Sequence, residues 1–592
     1  MPVLTVVKQS LESLFLLNRG EPFTIEFMSE PEVNEQESAE LEALSKKPFG
    51  KRFGYYTKKS GPGWLQAAIT LGGGSLAGAL FLGVLMGYSL MWLQPLAMIL
   101  GVVMLSAIAY VTLSTGERPF AAINKHVSPV LGWAWLIAAM MANIVWCLPQ
   151  FALGTGAVQQ NLIPSLEGVS WAPWAIGAVL LVAAAFVVRA YDSDSKGLKV
   201  FEGILKTMVG IVVVSFFLVV VRLTTSGALE WGIILKGFIP SISAIREPAP
   251  VIAAAVEATG ENAAYWSKLV AGLQKDKVIA AFGTAVGINM TFLLPYSMLR
   301  KGWGKNHRGL AIFDLGTGLI IPFMIATACI VIAAASQFHG KTGDILNEDG
   351  TVIEGKEGSF ASVADKFVSA QFATDLEGLE GEAQSAKIAE LRDGMSMADR
   401  QITAMLVDRK DSDLAKSLST LAGPGVGKII FGVGVLGMAL STIIILMLIN
   451  GFCLCEAMGR PGDKKLHFLG SLIPGLLGIC FPLIWTGESK AALAIPTSVI
   501  GSSLLPIAYF IFFLMMNSKR LLGDAMPRGG KRIIWNVLMF IATSLATLGS
   551  VWALKGKMLG GFPLGKVGIG VLIVLFVIGI FGFISNNKKS ST

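Results

Sequence analysis

Long runs of apolar residues alternate with short polar segments along most of this chain of 592 residues. A helix that crosses a lipid bilayer needs about 20 predominantly apolar residues. The pattern therefore predicts an all-α polytopic membrane protein with about twelve transmembrane helices, numbered here as spans 1 to 12. They are predicted near residues 62–86, 89–114, 130–160, 171–190, 200–223, 278–299, 310–336, 428–452, 468–486, 491–516, 532–554 and 566–584.

The polar segments divide the chain into five parts. We expect a cytoplasmic N-terminal tail at 1–60, spans 1–7 within 61–336, an insertion at 337–425, spans 8–12 within 426–585, and a cytoplasmic C-terminal tail at 586–592. The insertion holds sixteen acidic and nine basic residues, and its apolar residues recur at helical spacing. It is predicted to be an acidic extracytoplasmic subdomain. A lid, a docking site for a protein partner and a solvated insertion without a part in transport all remain open.

Composition and charge place the protein in a membrane. Hydrophobic residues make up 53% of the chain and charged residues only 15%, whereas soluble domains carry about 25% charge. The net charge of +8 comes from Lys and Arg clustered between the apolar runs. Seventeen of them follow spans 2, 4, 6, 8 and 10, which by the positive-inside rule predicts both termini in the cytoplasm. We expect a bacterial inner (plasma) membrane protein that contacts the lipid bilayer and no nucleic acid.

Spans 1 and 6 are interrupted by glycine. Span 1 contains Gly72, Gly73 and Gly74 in succession, and span 6 contains Gly283 and Gly287. Each glycine weakens a helix interior by about 1 kcal/mol relative to alanine, and freed backbone groups at membrane depth are tolerated only where they line a cavity or are buried in protein. Glycines also allow close helix packing. Paired breaks five spans apart instead favour an inverted-repeat transporter with its site at the midplane.

Four short motifs resemble one transporter family. The start of span 1 resembles that of the NRAMP divalent-metal transporters, which have the LeuT-type fold. Weaker similarities follow in spans 3, 8 and 10. The resemblance implies a 5+5 inverted repeat with broken helices 1 and 6. The matching segments are Gly61-Pro62-Gly63-Trp64-Leu65, Leu153-Gly154-Thr155-Gly156-Ala157, Ser441-Thr442-Ile443 and Leu505-Pro506.

The same resemblance shows where this chain departs from the family. The usual Asp-Pro-Gly-Asn motif of helix 1 falls on Gly72-Gly73-Gly74-Ser75, so its carboxylate and its amide are both replaced. The Met-Pro-His motif of helix 6 falls approximately on Ile288-Asn289-Met290, and a glutamine of helix 10 falls on Ser498. The usual metal ligands are therefore absent from the matching positions, which leaves open whether a metal binds.

We expect the substrate to lie between the two breaks, with supporting side chains from spans 3, 8 and 10. The predicted substrate-binding residues are Gly72, Gly73, Gly74, Ser75, Asn289, Met290, Thr291, Thr497 and Ser498. Asp314 in span 7 is the candidate for proton or cation coupling. The predicted substrate-binding groups are uncharged. They cannot neutralise a dehydrated divalent cation, which usually binds carboxylates.

Three functional hypotheses follow. The resemblance implies transport of a divalent metal ion by alternating access. The uncharged site favours a neutral or zwitterionic polar solute instead. The third hypothesis is a transporter-like membrane sensor without transport activity. No motif of an enzyme or of a cofactor site occurs in a plausible context, so neither is expected.

Overall fold

The described part of the chain is almost entirely helical. The computed structural model describes residues 35–45, 47–193, 195–283, 285–409, 413, 426–485, 490, 493–558 and 562–588. Within these residues the only extended pairing is one isolated bridge, between Leu346 and Val352. Ten helices are long and apolar enough to cross a membrane, and one bent pair of helices makes an eleventh span. The prediction of an all-α polytopic membrane protein is confirmed.

The helices follow the predicted spans closely. Span 1 consists of helix 1a, Pro62–Thr70, and helix 1b, Gly73–Met86. The predicted span 9 is the 16-residue helix Lys464–Ile479, followed by the short helix Phe481–Ile484; this segment is the one not counted among the eleven. The other spans, apart from span 6, are Leu93–Thr115, Pro129–Leu162, Ala172–Tyr191, Lys196–Thr225, Lys305–Phe338, Lys428–Ala457, Ala494–Met516, Gly530–Leu554 and Leu564–Asn586.

Span 6 is longer than its apolar run predicts. It consists of helix 6a, Ala263–Gly283, and helix 6b, Ile288–Arg300, whereas the hydropathy pattern begins at 278. The added turns of helix 6a contain charged residues between buried ones such as Trp266 and Val270. Protein rather than lipid covers these turns, because the insertion packs on them. A criterion based on apolar composition therefore misses the start of this helix.

The broken helices lie at the centre of the bundle. Helix 1a packs against span 5, span 8, helix 6b and the first turns of span 7. Helix 1b packs against span 7 and helix 6a, while span 8 packs against spans 3 and 9. This arrangement, with breaks in the first helix of each group of five, is the LeuT-type architecture.

The bundle has two opposite ends, one that carries charged residues of several spans and one that is covered by the insertion. The basic face is the end that carries Ser60, Arg118, Lys301 and Glu456. The insertion face is the end where span 7 finishes at Phe338 and the insertion begins.

Three helices of the insertion pack over the insertion face: Glu357–Gln371, Gly381–Asp393 and Met397–Leu406. The insertion is fastened to helix 6a and to the turn before it. The Asp399 carboxylate accepts hydrogen bonds from Trp266 Nε1 at 2.7 Å and from Asn262 Nδ2 at 3.0 Å. Lys277 Nζ pairs with Asp408 Oδ1 at 2.6 Å and lies 3.9 Å from the ring centroid of Phe81 in helix 1b. The insertion thus bridges the outer halves of spans 1 and 6.

Candidate functional site

The first helix break is a sharp bend at the glycine triplet. Helix 1a ends at Thr70, helix 1b begins at Gly73, and their axes differ by 53°. Gly72 has an extended backbone, with φ −121° and ψ −169°. The break therefore leaves the last carbonyl groups of helix 1a and the first N–H groups of helix 1b without helical partners.

Neutral side chains from spans 3 and 8 satisfy several of these groups. Ser441 Oγ and Thr442 Oγ1 donate to the carbonyl oxygen of Ala68 at 3.0 and 3.2 Å. Thr442 Oγ1 also lies 3.3 Å from the carbonyl oxygen of Ile69. The Gln150 side chain, in span 3, accepts a hydrogen bond at Oε1 from the backbone N–H of Gly73, at 2.8 Å. Hydroxyl and amide groups thus hold both ends of the break.

The second break is tied directly to the first. Thr70 Oγ1, at the end of helix 1a, donates to the carbonyl oxygen of Ala285 at 2.7 Å and lies 3.3 Å from Met290 Sδ. The same sulfur lies 3.4 Å from the backbone N of Gly287. Asn289, in the first turn of helix 6b, accepts a hydrogen bond at Oδ1 from the backbone N–H of Met290. The two interrupted helices therefore meet through their unwound segments.

A cavity of about 30 Å³ lies between the two breaks. Its lining carries hydroxyl, amide and thioether side chains and exposed backbone, with no Asp, Glu, Lys, Arg or His. Across the described residues, no group of three or more His, Cys, Asp or Glu side chains is placed to hold a metal ion. The lining residues are Ile69, Thr70, Gly72, Gly74, Ser75, Trp146, Gln150, Gly283, Gly287, Asn289, Met290, Thr442 and Leu446.

Five of the predicted substrate-binding residues line this cavity: Gly72, Gly74, Ser75, Asn289 and Met290. Gly73 lies beside the cavity, because its backbone N–H donates to the lining residue Gln150. A thioether does face the first break, but it belongs to Met290, two residues after the position on which the family's methionine falls by resemblance.

The other predicted residues are placed elsewhere. Thr291 Oγ1 accepts a hydrogen bond from Trp135 Nε1 at 3.0 Å and donates to Ile288. Thr497 Oγ1 and Ser498 Oγ donate to carbonyl groups of their own helix. None of these three side chains lines the cavity.

The sequence predicts supporting side chains from spans 3 and 8 but does not single out Trp146, Gln150 or Thr442, nor Thr70 in span 1. Gln150 offers a usable signal, since it is a polar residue directly after a proline within an apolar span. Thr442 enters the sequence analysis only within a segment that resembles a family motif. No periodicity could have shown that its hydroxyl reaches the end of helix 1a, because that contact joins residues 374 positions apart.

The space beside Gly72 is already occupied. A Cβ atom added there would lie 2.3 Å from Thr442 Oγ1 and 3.1 Å from Gln150 Oε1. Gly72 is the position on which the family's helix-1 aspartate falls by resemblance. In this chain, the hydroxyl of Thr442 and the amide of Gln150 fill the volume that a side chain at position 72 would need.

Asp314 lies at the basic face and caps helix 1a. Its fully buried carboxylate accepts hydrogen bonds from the backbone N–H groups of Gly63 at 2.7 Å and Gly61 at 3.2 Å, and from Ser60 Oγ. An acidic side chain is favoured at a helix N-terminus because unpaired N–H groups and positive partial charge meet there. Asp314 is separated from the cavity by most of helix 1a, since Gly63 and Ile69 are about 9 Å apart along the axis.

Charged residues from other spans surround the same helix start. Lys206 Nζ, in span 5, donates to the carbonyl oxygen of Ser60 at 2.7 Å. Lys301 Nζ, at the end of helix 6b, pairs with Glu202 Oε1 at 2.9 Å and lies 3.4 Å from the carbonyl oxygen of Lys59. Spans 5, 6 and 7 thus hold the entry of helix 1a together at the basic face.

The architecture and the position of the cavity define an integral membrane transporter of the LeuT-type fold. The chain belongs to the natural resistance-associated macrophage protein-like (Nramp) family, whose model matches residues 63–364 and 402–553. The unmatched stretch between the two ranges falls within the insertion.

Crystal structures of the manganese transporter of Eremococcus coleocola are similar to this chain. One is the complex with an aromatic bis-isothiourea substituted compound, and two others are alanine variants. Each matches with a TM-score of 0.57 and 13% sequence identity, covering 89% of this chain and 94% of the transporter. At this identity the likeness establishes the fold. Among curated protein sequences, none matches this chain.

Proposed function

We propose that this protein is a secondary transporter that moves a divalent metal ion by alternating access through the cavity between spans 1 and 6. The observation that carries the proposal is the size of the cavity together with its lining. A volume of about 30 Å³ accommodates an ion with one or two water molecules. Family membership supports the same substrate class.

The proposed ligands are neutral. Asn289 Oδ1, Gln150 Oε1, the hydroxyl groups of Thr70 and Thr442, and unwound backbone carbonyl groups supply oxygen, and Met290 supplies sulfur. Hard divalent ions such as Mg²⁺ retain part of their water shell and bind few protein groups, which suits a site without carboxylates. A thioether favours softer transition metals, so Met290 should shift preference from Mg²⁺ towards Mn²⁺.

Among the predicted substrate-binding residues, we retain Gly72, Gly73, Gly74, Ser75, Asn289 and Met290. Thr291, Thr497 and Ser498 are assigned to helix packing, because their hydroxyl groups are engaged within their own helices or with Trp135.

Asp314 is assigned to capping helix 1a rather than to coupling, because three donors already converge on its carboxylate. By the positive-inside rule we expect the basic face to lie in the cytoplasm.

The test is metal uptake into proteoliposomes that contain the purified full-length protein, with Mn²⁺ and Mg²⁺ measured separately. Saturable uptake is expected, and Asn289→Ala should raise the half-saturating Mn²⁺ concentration at least about tenfold, equivalent to about 1.4 kcal/mol. Met290→Leu should reduce the preference for Mn²⁺ over Mg²⁺. Ser498→Ala is the matched control, since its buried hydroxyl only bonds its own helix, and it should behave as wild type.

The alternatives have distinct outcomes in the same assay. Saturable uptake of neutral or zwitterionic solutes without metal uptake would support the solute hypothesis, to which the N-termini of helices 1b and 6b at the cavity are suited. Ligand binding by folded protein without uptake of any solute would indicate a sensor. Either result would refute the proposed metal transport.

A further inference from the structure

One face of span 8 connects the cavity to a buried carboxylate at the basic face. Thr442 and Leu446 line the cavity, and Glu456 follows Thr442 by fourteen residues. Fourteen residues make about 3.9 helical turns and about 21 Å of length, so Glu456 lies almost directly below Thr442. Cys453, one turn before Glu456, is also fully buried. The lining of the cavity therefore continues along this face to an acidic side chain.

Helix 6b provides the opposite wall. Asn289 lines the cavity, and Tyr296 follows it by seven residues, which is about 1.9 turns and about 10 Å along the helix. The ring of Tyr296 stacks on Phe452 in the last turns of span 8, and its buried hydroxyl lies within interaction range of the Glu456 carboxylate. The two faces that line the cavity thus converge at Tyr296 and Glu456.

Stacked aromatic rings close the space between these walls. The ring centroids of Phe292 and Tyr296 are 4.7 Å apart, and those of Tyr296 and Phe452 are 5.4 Å apart. Both pairs are nearly parallel, with interplanar angles of 3° and 20°. These rings bridge helix 6b and span 8, so a route from the cavity to the basic face between the two helices would cross this stack. Glu456 is the carboxylate that an ion on this route then meets.

Within the described part of the chain, Glu456 pairs with one charged residue, Arg118. The Glu456 side chain is 5% exposed, and Oε1 accepts a hydrogen bond from Arg118 Nη1 at 3.1 Å. Arg118 follows span 2 and is 35% exposed, so its guanidinium can move into solvent while Glu456 stays in place. A buried carboxylate requires a cationic or hydrogen-bonding partner, and a departing metal ion could replace Arg118 in that role.

We propose that Glu456, with the Tyr296 hydroxyl and the Cys453 thiol, forms a second cation site at the basic-face end of the transport route. The carboxylate and phenol oxygens suit Mn²⁺, and the sulfur of Cys453 extends the range to softer transition metals. Arg118 neutralises Glu456 while the site is empty and competes with the ion for it. This inference rests on the proposed metal transport.

Variants of Glu456 and Arg118 distinguish a cation site from an ion pair that only stabilises the packing of the spans. If Glu456 binds the ion, Glu456→Gln should weaken Mn²⁺ binding at this second site at least about tenfold, whereas Arg118→Met should strengthen it by removing a competitor. If the pair only holds spans together, both variants lose the same interaction and should act in the same direction.

The experiment is calorimetric titration of Mn²⁺ into the full-length protein in lipid nanodiscs, with proteoliposome uptake measured in parallel. Two binding events are expected for the wild type, and Glu456→Gln should remove the second while retaining the first. Tyr296→Phe keeps the ring stack and removes only the hydroxyl, so it should weaken the second event even if Glu456→Gln fails to fold. Asp524→Asn, in the exposed pair with Arg528, is the control and should change neither event.

The outcomes separate this inference from the proposed function. Wild-type protein that neither binds nor transports Mn²⁺ would refute metal transport and this site together. Wild-type transport with a single binding event that neither Glu456→Gln nor Tyr296→Phe alters would refute the second site alone. Equal weakening by Glu456→Gln and Arg118→Met would also overturn it.

Discussion

A carboxylate introduced at Gly72 should improve metal binding only when Thr442 is shortened at the same time. The extended backbone of Gly72 is available to any residue, so the obstacle is the side-chain space. A Cβ atom there would lie 2.3 Å from Thr442 Oγ1. The threonine would have to turn its hydroxyl away from the carbonyl groups of Ala68 and Ile69.

The expected energies nearly cancel in the single variant. A lost hydrogen bond costs about 1 kcal/mol, and an unfavourable rotamer costs about 1 kcal/mol more. A new charged ligand contributes about 2 kcal/mol. Gly72→Asp should therefore bind Mn²⁺ within about threefold of wild type, whereas Gly72→Asp combined with Thr442→Ala should bind about thirtyfold more tightly than Thr442→Ala alone.

The measurement is a double-mutant cycle of Mn²⁺ affinity by calorimetric titration, which isolates the interaction between positions 72 and 442. An affinity gain of the same size in the Gly72→Asp single variant would refute the steric argument. A double variant no tighter than Thr442→Ala would show that position 72 does not face the bound ion.

Three further predictions concern other parts of the molecule. Asp314→Asn should lower the free energy of unfolding by about 2 kcal/mol, because helix 1a loses charge-assisted caps, and the melting temperature should fall accordingly. The affinity for Mn²⁺ should stay within about twofold, because the cavity is about 9 Å away. Loss of Mn²⁺ binding would contradict the capping role. Lys277→Met should make chymotrypsin cleave the insertion about fivefold faster, because the insertion loses about 1 kcal/mol of its interaction with helix 6a. Lys277→Arg should be cleaved at the wild-type rate. Equal cleavage rates in all three proteins would show that this ion pair does not hold the insertion on helix 6a. Burial lowers the pKa of His126 below its ordinary 6.5 despite the nearby Glu117, so its contribution to stability is complete above pH 6.5 and is lost as the pH falls. Between pH 7.5 and pH 5, the melting temperature of His126→Gln should therefore fall less than that of the wild type. An identical fall in both proteins would exclude this histidine as a cause.

The sequence predicted the features that depend on local composition. Apolar runs located the spans, and the glycine triplet at Gly72 located the first break, because backbone cost and hydropathy are properties of neighbouring residues. The pair formed by Gly283 and Gly287 likewise located the second break. These features were enough to place the cavity between spans 1 and 6.

Contacts between distant spans could not be predicted in the same way. Glu456 stands at the end of an apolar run, and its sequence neighbours do not indicate that its carboxylate is buried. Asp314 reads as a lone acid within a span, but its partners are backbone N–H groups 251 and 253 residues away. Ser498 was expected at the site by family register, yet its hydroxyl bonds the preceding turn of its own helix. Each outcome depends on packing between spans, which periodicity does not encode.

The half-helix ends at the cavity explain how an uncharged site could hold a cation. Helices 1a and 6a present C-terminal ends, which carry negative partial charge, while helices 1b and 6b present N-terminal ends of opposite sign. In the observed conformation Thr70 and Thr442 donate their hydroxyl hydrogens to carbonyl groups of the unwound segments.

A cation that entered could turn these hydroxyl groups, so that the threonine oxygens and the released carbonyl groups both become ligands. Each ligand gained then replaces a hydrogen bond worth about 1 kcal/mol, which limits the net affinity. Such a site should bind an ion that keeps part of its water shell, and it should release that ion readily. A buried carboxylate farther along the route, such as Glu456, would then supply the charge that the cavity itself lacks.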